Sequence, residues 1–585
     1  MGSSVLPQVR GYLDLGGNTV GNARLRDPIG GDFRLAAGSP GIDAANSDFV
    51  RELDADGVSR LDDSGTPNTG SGSGVAFADI GAYEFVGTTT LRITSPSGGE
   101  TLTAGAVATL EWEGSATGSV NIEVSTDDGL TYSPLTTGVD AQSGTRSVTL
   151  PMVGAPKARL RIVDVSGAVL DQVDDSFAIA LDGDWYVNPS ATSHDGESFA
   201  TGFASIDDAL EAAVFGQTVR VVEGTYWWDG DGSALVAMKD GVALVGGDSA
   251  AGAYDPVAYP TILEGLNVGG TERVNNVVVG ANAELRGFTV RDGWAIGEIR
   301  TGGGLLVSNV STVVDECVFL DNRSLRGAAI GLQGSASELL ITRSRIEGSR
   351  DGPGIYASGG RLHSVETDFI DGETYGIFSE ETELVVDGGT FAGNSNFAID
   401  ADDRDIVVTD VSIEGRGVRF ENANVTVERV AFRDSLSTAL FAQGEDGHVV
   451  NVSNCVFDDP GRFTSQATAI MVSRVAVNLV NSTIYSTSAR PTFDANNGSV
   501  FTVVNSIVWN TEAGQPLFED DNGLVTHSIV HEDIGGTGNS VVDPLFRDAA
   551  NGDLRLTSGS PAVDAAEGSL APSTDLLGNS RTPLP

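Results

Sequence analysis

The chain has 585 residues, 34 Lys plus Arg against 81 Asp plus Glu, a net charge of −47 and a pI near 4.2. That length exceeds one ordinary core, and so acidic a surface excludes nucleic acid and anionic membranes as partners, because it offers no basic face to phosphate. With 40% hydrophobic residues it is no disordered acidic tail, and no run of eighteen apolar residues exists to span a membrane.

The first residues, Met1 to Val5, carry neither a charged n-region nor an apolar h-region. Gly31-Asp32-Phe33-Arg34-Leu35 through Gly38-Ser39-Pro40-Gly41-Ile42-Asp43-Ala44-Ala45 matches Gly552-Asp553-Leu554-Arg555-Leu556 through Gly559-Ser560-Pro561-Ala562-Val563-Asp564-Ala565-Ala566. Asp54, Gly57 and Arg60 recur at equal spacing as Asp575, Gly578 and Arg581, and the first copy continues into Asp79-Ile80-Gly81-Ala82-Tyr83-Glu84-Phe85. The expectation is a duplicated module: residues 1–87 as the C-terminal end, the last coils, of a first β-helix, and the chain as a fragment of a repeating architecture.

Residues 88–182 change texture. Alternating strands are predicted at 91–93, 108–112, 120–124, 147–150 and 159–163, separated by turn signals, as in a β-sandwich. Phe203 to Ala213 is the clearest amphipathic helix, with Ser205 as N-cap and Asp207 and Asp208 in its first turn, at the place where a solenoid's N-terminal end needs covering.

A repeat then takes over. Val290, Phe319, Ile346, Phe369, Phe391, Ile413, Phe432, Phe457, Ile484, Val508 and Val530 align as anchors of units that alternate with period two. No fixed leucine ladder and no 3.6-residue periodicity is present. The pattern predicts an all-β fold in which residues 183–585 form one parallel β-helix, capped by a helix near 205–213. Cys317 and Cys455 each precede an anchor by two residues, so both point inward, six coils and roughly 29 Å apart. That separation is far beyond disulfide reach, and both are expected as buried free thiols.

The segments Asp184-Trp185-Tyr186-Val187-Asn188-Pro189, Gly216-Gln217-Thr218-Val219-Arg220-Val221 and Gly224-Thr225-Tyr226 resemble the opening of exported bacterial surface proteins with the pectin-lyase-like, right-handed parallel β-helix fold. The Gly-Ser-Pro and Asp-Ile-Gly-Ala-Tyr-Glu segments resemble the closing segment of that group. Ser95-Pro96, Gly98-Gly99-Glu100, Trp112, Ser125 to Gly129 and Phe177-Ala178-Ile179 resemble the immunoglobulin-like module of exported bacterial proteins. These resemblances imply an extracellular or cell-surface location and a structural or adhesive role, with polysaccharide or another surface protein as partner. The alternative they leave open is a polysaccharide lyase or glycoside hydrolase acting on an acidic polysaccharide, because the fold hosts both.

Site candidates follow. Asp292, Asp321, Asp371, Asp434 and Asp459 each lie two residues after an anchor and read as turn residues bonded to their own backbone. Asp54 with Asp56, and Asp229 with Asp231, set alternating oxygen ligands on glycine-flexed loops suited to Ca2+, or else simply solvated turns. The five histidines form no zinc-binding helix. Arg343, Arg345, Arg350, Arg361 and His363 concentrate positive charge in two coils. In a lyase of the resembled fold an arginine acts as base, which makes Arg343, Arg345 and His363 the catalytic candidates. Arg350, Tyr356 and Arg361 are then ligand-binding candidates, as are Trp227 and Trp228 beside Asp229. The plainer reading is that Glu347, Asp351, Glu366 and Asp368 pair with these arginines.

Overall fold

A computed structural model of the chain describes residues 91–581 apart from 115, 117, 231, 296–300, 403, 446, 459–467 and 520–522. Before residue 91 it describes 24–27, 32–36, 38–46, 48, 54–55, 68–72, 78–83 and 85. The chain divides into two compact units, Met1–Ile179 and Ala180–Pro585.

The first unit opens with a hairpin of Leu25–Asp27 and Asp32–Leu35, paired antiparallel with Leu25 opposite Leu35. Leu35, Ile42 and Phe85 are buried together, with Leu25 against them. No stacked coil is present among the described residues before 91. Strand-forming Phe33-Arg34-Leu35 pairs with Leu25–Asp27. Two antiparallel sheets follow. One joins Leu91–Ser95, Val107–Gly114 and Thr145–Thr149; the other has six strands centred on Ser119–Ser125 and Ala155–Asp164. Alternation places Val120, Ile122, Leu160 and Ile162 inside, and buried Trp112 donates its indole N–H to the Ala141 carbonyl at 2.8 Å.

The second unit is a parallel β-solenoid. It starts with Asp184–Val187 and the helix Ile206–Ala212, whose N-cap Ser205 accepts a hydrogen bond from the Asp208 N–H at 3.1 Å. At the helix's other end the Lys239 ammonium donates to the Leu210 and Glu211 carbonyls, at 3.0 and 3.2 Å, satisfying acceptors that the helix cannot. Ile206, Ala209 and Leu210 join the same core as Val219 and Val236, so the helix closes the first coil against water.

Each later coil contributes one strand to each of three parallel sheets of fourteen, thirteen and eleven strands, termed the first, second and third sheets. The eleven predicted anchors pair coil to coil along the second sheet from Val290–Phe319 to Val508–Val530 without a slip. Between the first and second sheets the chain turns through one residue in the left-handed region: Glu316, Arg343, Glu366, Asp410, Arg429, Asn454, Asn481, Asn505 and His527 all have φ between 44° and 57°. Asn and Asp tolerate that conformation; Glu and Arg adopt it against their preference, held by the sheets on either side. Asp292, Asp321, Asp371 and Asp434 turn the chain in the same way after the second sheet, as expected of turn residues. Asp459 lies outside the described residues.

The residue after each left-handed turn points inward. Here Ser344 Oγ accepts the Cys317 N–H and Ser482 Oγ the Cys455 N–H, both at 3.1 Å. The two thiols sit at equivalent positions, separated by six strand pairings, and both are buried and free. Burial pushes each up to about 12, so neither forms thiolate at neutral pH. A non-permeant thiol reagent is expected to label neither cysteine in the native protein and both after denaturation without reductant. Labelling of either in the folded state would refute this inward placement.

The expected continuation of the solenoid to residue 585 is corrected by the structure. The last coil strand is Ile529–Val530, followed by a single parallel bridge from Ile529 to Ser540. Phe546–Asp548 and Asp553–Leu556 then form an antiparallel hairpin, and the chain runs back along the solenoid. Phe546 packs edge-on to Tyr485 at 6.0 Å, Asn505 exchanges two hydrogen bonds with Glu567 at 2.7 and 3.0 Å, and Arg581 donates to Asn454 Oδ1 at 2.8 Å. The proline- and glycine-rich sequence after 530 cannot supply ladder strands, and the left-handed asparagines give it acceptors and donors to dock on.

Candidate functional site

The strand Ala243–Asp248 is joined to Thr261–Asn267 by an insertion, residues 249–260, where later coils have a single left-handed residue. Asp255, Pro256 and Val257 of this insertion wall an open groove of about 560 Å3 over the second sheet. Glu316, Arg343, Arg345 and Asp368 reach the groove from the coils below.

Arg343 and Arg345 therefore meet at one groove. Arg343 occupies a left-handed turn and Arg345 the first position of the strand Arg345–Glu347; the bend between them aims both side chains the same way. Each guanidinium is pinned by a carboxylate. Arg343 bonds to buried Asp315, which also has Arg286 at 3.5 Å, and Arg345 Nε donates to Glu347 at 2.8 Å. The two side chains remain 50% and 45% exposed, so donors face solvent from fixed positions. Glu316, beside them, accepts from the Tyr254 hydroxyl at 2.6 Å and from Arg286 at 3.1 Å, and this hydroxyl and guanidinium hold its carboxyl below the usual range. It stays ionised at neutral pH, an acceptor and not a proton donor.

The remaining predicted residues lie elsewhere. His363 and Arg361 are on the first sheet, where Arg361 sits between Glu338 and Glu383 at 3.7 and 3.2 Å. Arg350 follows the second sheet and binds Asp321 at 2.6 Å. Tyr356 is on the third sheet, stacked on Phe378 with centroids 5.8 Å apart, its hydroxyl donating to Glu380 at 2.9 Å. The predicted set thus spreads over three faces. Most of the arginines' carboxylate partners also differ from those expected, because they come from neighbouring coils and not from neighbouring residues. Only Arg345–Glu347 is the sequence-local pair.

Trp227, Trp228 and Asp229 line a second concavity of about 510 Å3 beside Ser205 and Asp207 of the capping helix, and Trp227 is 42% exposed. Asp231 and Asp56, proposed partners of Asp229 and Asp54 for Ca2+, lie outside the described residues. Among the described residues no three His, Cys, Asp or Glu side chains converge as a metal site, and no helix is long and apolar enough to cross a membrane. Asp255 and the insertion that carries it went unrecognised in the sequence; the break in coil spacing before the first anchor is the signal that marks it.

No family model and no curated protein matches the chain. Solved structures similar to the chain include the three that follow. The catalytic domain of a GH87 α-1,3-glucanase aligns at 10% identity and TM-score 0.36, covering 74% of this chain and 88% of that one. The family 28 exopolygalacturonase of Yersinia enterocolitica aligns at 11% and 0.33, covering 77% and 99%. Pectate lyase Pel9A aligns at 12% and 0.30, covering 69% and 97%.

Proposed function

We propose that this chain is an extracellular structural or adhesive bacterial surface protein whose rigid solenoid, joined to an immunoglobulin-like module, binds a glycan in the groove under Asp255–Val257. The observation that carries the reading is the pair Arg343 and Arg345, half exposed on the groove floor and each fixed by a carboxylate. Preorganised guanidinium donors between the acceptors Asp255, Glu366 and Asp368 suit the hydroxyls of a sugar chain. The lining carries more carboxylates than arginines, which favours a neutral glycan over a polyuronate unless a divalent cation bridges the charges. Glu316, held ionised, does not serve as a general acid there.

The test is a panel of neutral glucans, pectate and alginate, with and without Ca2+, read for binding by affinity electrophoresis and for turnover by reducing ends and unsaturated product. Binding without turnover is expected. The double variant Arg343→Asn, Arg345→Ala should weaken it about tenfold or more, asparagine preserving the left-handed turn. Robust turnover would establish the lyase or hydrolase reading instead.

A further inference from the structure

The aromatic run Tyr226-Trp227-Trp228 has no part in the Arg343–Arg345 groove, yet the sheet register connects the two. Tyr226 and Trp228 pack against the solenoid core, and the Tyr226 hydroxyl donates to the Val222 carbonyl at 3.1 Å. Alternation then turns Trp227 outward, where it is 42% exposed. Its strand, Gly224–Trp228, is the first of the second sheet, and Arg345–Glu347 is the fifth. Trp227 pairs with Glu264, Glu264 with Arg291, Arg291 with Leu320 and Leu320 with Glu347. Trp227 and the groove therefore share one outer face, four strand steps or about 19 Å apart.

The neighbouring column of side chains forms a floor between them. Thr225, Ile262, Thr289, Val318 and Arg345 pair in that order, and the middle three are half-buried and uncharged. Thr289 and Val318 already line the groove, together with Pro256 and Val257 of the insertion. In the Trp227 column the carboxylate of Glu264 is buried and bonded to Arg291 at 2.6 Å, so its charge is compensated. At the far end the concavity of about 510 Å3 sets Ser205, Asp207 and Asp229 beside the Trp227 ring, hydroxyl and carboxylate acceptors next to an aromatic face. That lining holds two carboxylates and, among the described residues, no cation. It repels a polyuronate and suits a neutral sugar.

We propose that the outer face of the second sheet is one continuous track for a neutral glycan chain lying along the solenoid axis, with Trp227 as its far subsite. The inference rests on the glycan reading of the groove and extends it: the ligand is a segment of a polymer and not a mono- or disaccharide. A pyranose unit and its linkage advance a chain by about one strand spacing, so four steps hold about five consecutive sugars. The sugar at one end meets the guanidinium donors of Arg343 and Arg345. Those between lay their C–H faces on Ile262, Thr289 and Val318, and the ring at the other end stacks on the Trp227 indole. Packed neighbours on the same strand hold that indole in place, so stacking costs little ordering. Two subsites joined by one chain bind it far more tightly than either alone, because the second contact forms at high effective concentration.

The experiment titrates the full chain by calorimetry with cello-, laminari- and nigero-oligosaccharides of about two to eight sugars. Affinity is expected to rise about tenfold or more between about three and about six sugars, at one oligosaccharide per chain. Trp227→Ala, at an exposed position that circular dichroism should find folded, should remove that rise and leave the shortest binders unchanged. Trp227→Tyr should keep most of it. Arg343→Asn with Arg345→Ala should weaken binding at every length. Affinity that levels off at the shortest lengths, or an unaltered length dependence in Trp227→Ala, would overturn the track and leave the glycan reading of the groove standing. Two long oligosaccharides bound per chain would overturn it as well, by making Trp227 a separate site. Binding of no oligosaccharide at any length would overturn the track and the groove reading together.

Discussion

Replacing Phe391 by alanine is expected to remove about 3–5 kcal/mol of stability, among the largest losses any single substitution will produce in the solenoid. Its ring is fully buried and lies parallel to that of Phe369, one coil away, with centroids 4.4 Å apart and planes within 4°. The edge of the ring is packed closely as well. A Cβ on Gly376 would come within 2.6 Å of Phe391 Cδ1, which is why that coil turns on a glycine. The hole left by alanine is flanked by paired strands on each side and has little room to collapse. Urea unfolding followed by circular dichroism should give a lower midpoint with an unchanged slope. Because coils touch only their neighbours, faster hydrogen exchange should centre on the strands of residues 369, 391 and 413. The Phe369→Ala, Phe391→Ala double variant should lose less than the two single losses combined. A loss below about 1 kcal/mol for Phe391→Ala would mean that the aromatic ladder contributes little beyond its shape.

Arg419→Met is expected to cost about 3 kcal/mol near neutral pH, by leaving a carboxylate buried without its cation. Asp400 is 2% exposed and accepts from Arg419 Nε at 2.8 Å; the same guanidinium reaches Glu421 at 3.1 Å. Burial raises Asp400 above its ordinary value, and Arg419 opposes the rise. The sign of the pH dependence follows. A carboxyl raised in the folded state binds its proton more tightly there than in the unfolded chain, so this group's contribution to stability falls as pH rises from the ordinary value through the raised one. Removing Arg419 lifts Asp400 further and extends that window upward. The variant's deficit should therefore shrink as pH is lowered from about 7 towards about 5, as Asp400 becomes neutral. Asp400→Asn combined with Arg419→Met should recover much of the loss. Equal deficits at the two pH values, measured by urea titration, would show that Arg419 acts by packing alone.

The coil register was legible from the amino-acid sequence because one side of every strand is buried, so a slip of one residue would turn Phe319, Phe369 or Phe457 into solvent. The capping helix was legible for a similar reason: Ser205 and the acidic first turn are local chemistry. The groove was legible only in part. Arg343 and Arg345 stood out by their sign, and Glu347 is a sequence neighbour of Arg345, but Asp315 reaches Arg343 through stacking, which brings a residue about one coil away nearer than most sequence neighbours. The same stacking carries Tyr356 and His363 to other faces although they lie within twenty residues of Arg343. The tail was misjudged because Phe546 and Leu556 alternate like coil strands, and nothing local says that they pair with each other.

The repeated left-handed turn has a consequence for length. From the coil of Val290 to that of Phe432 the chain enters and leaves the second sheet through left-handed residues, so the distance this stretch spans is set in whole steps of about 4.8 Å. Excising the chain from one anchor to the next, for instance residues 370–391, removes one step and rejoins strands that are already in register. Excising half that stretch leaves no strand aligned with its neighbour. Between Val290 and Phe432 the reach of such a protein can be shortened or extended like a ruler cut at its gradations. From Asn454 onward the returning tail is fastened to particular rungs, and there the measure is fixed.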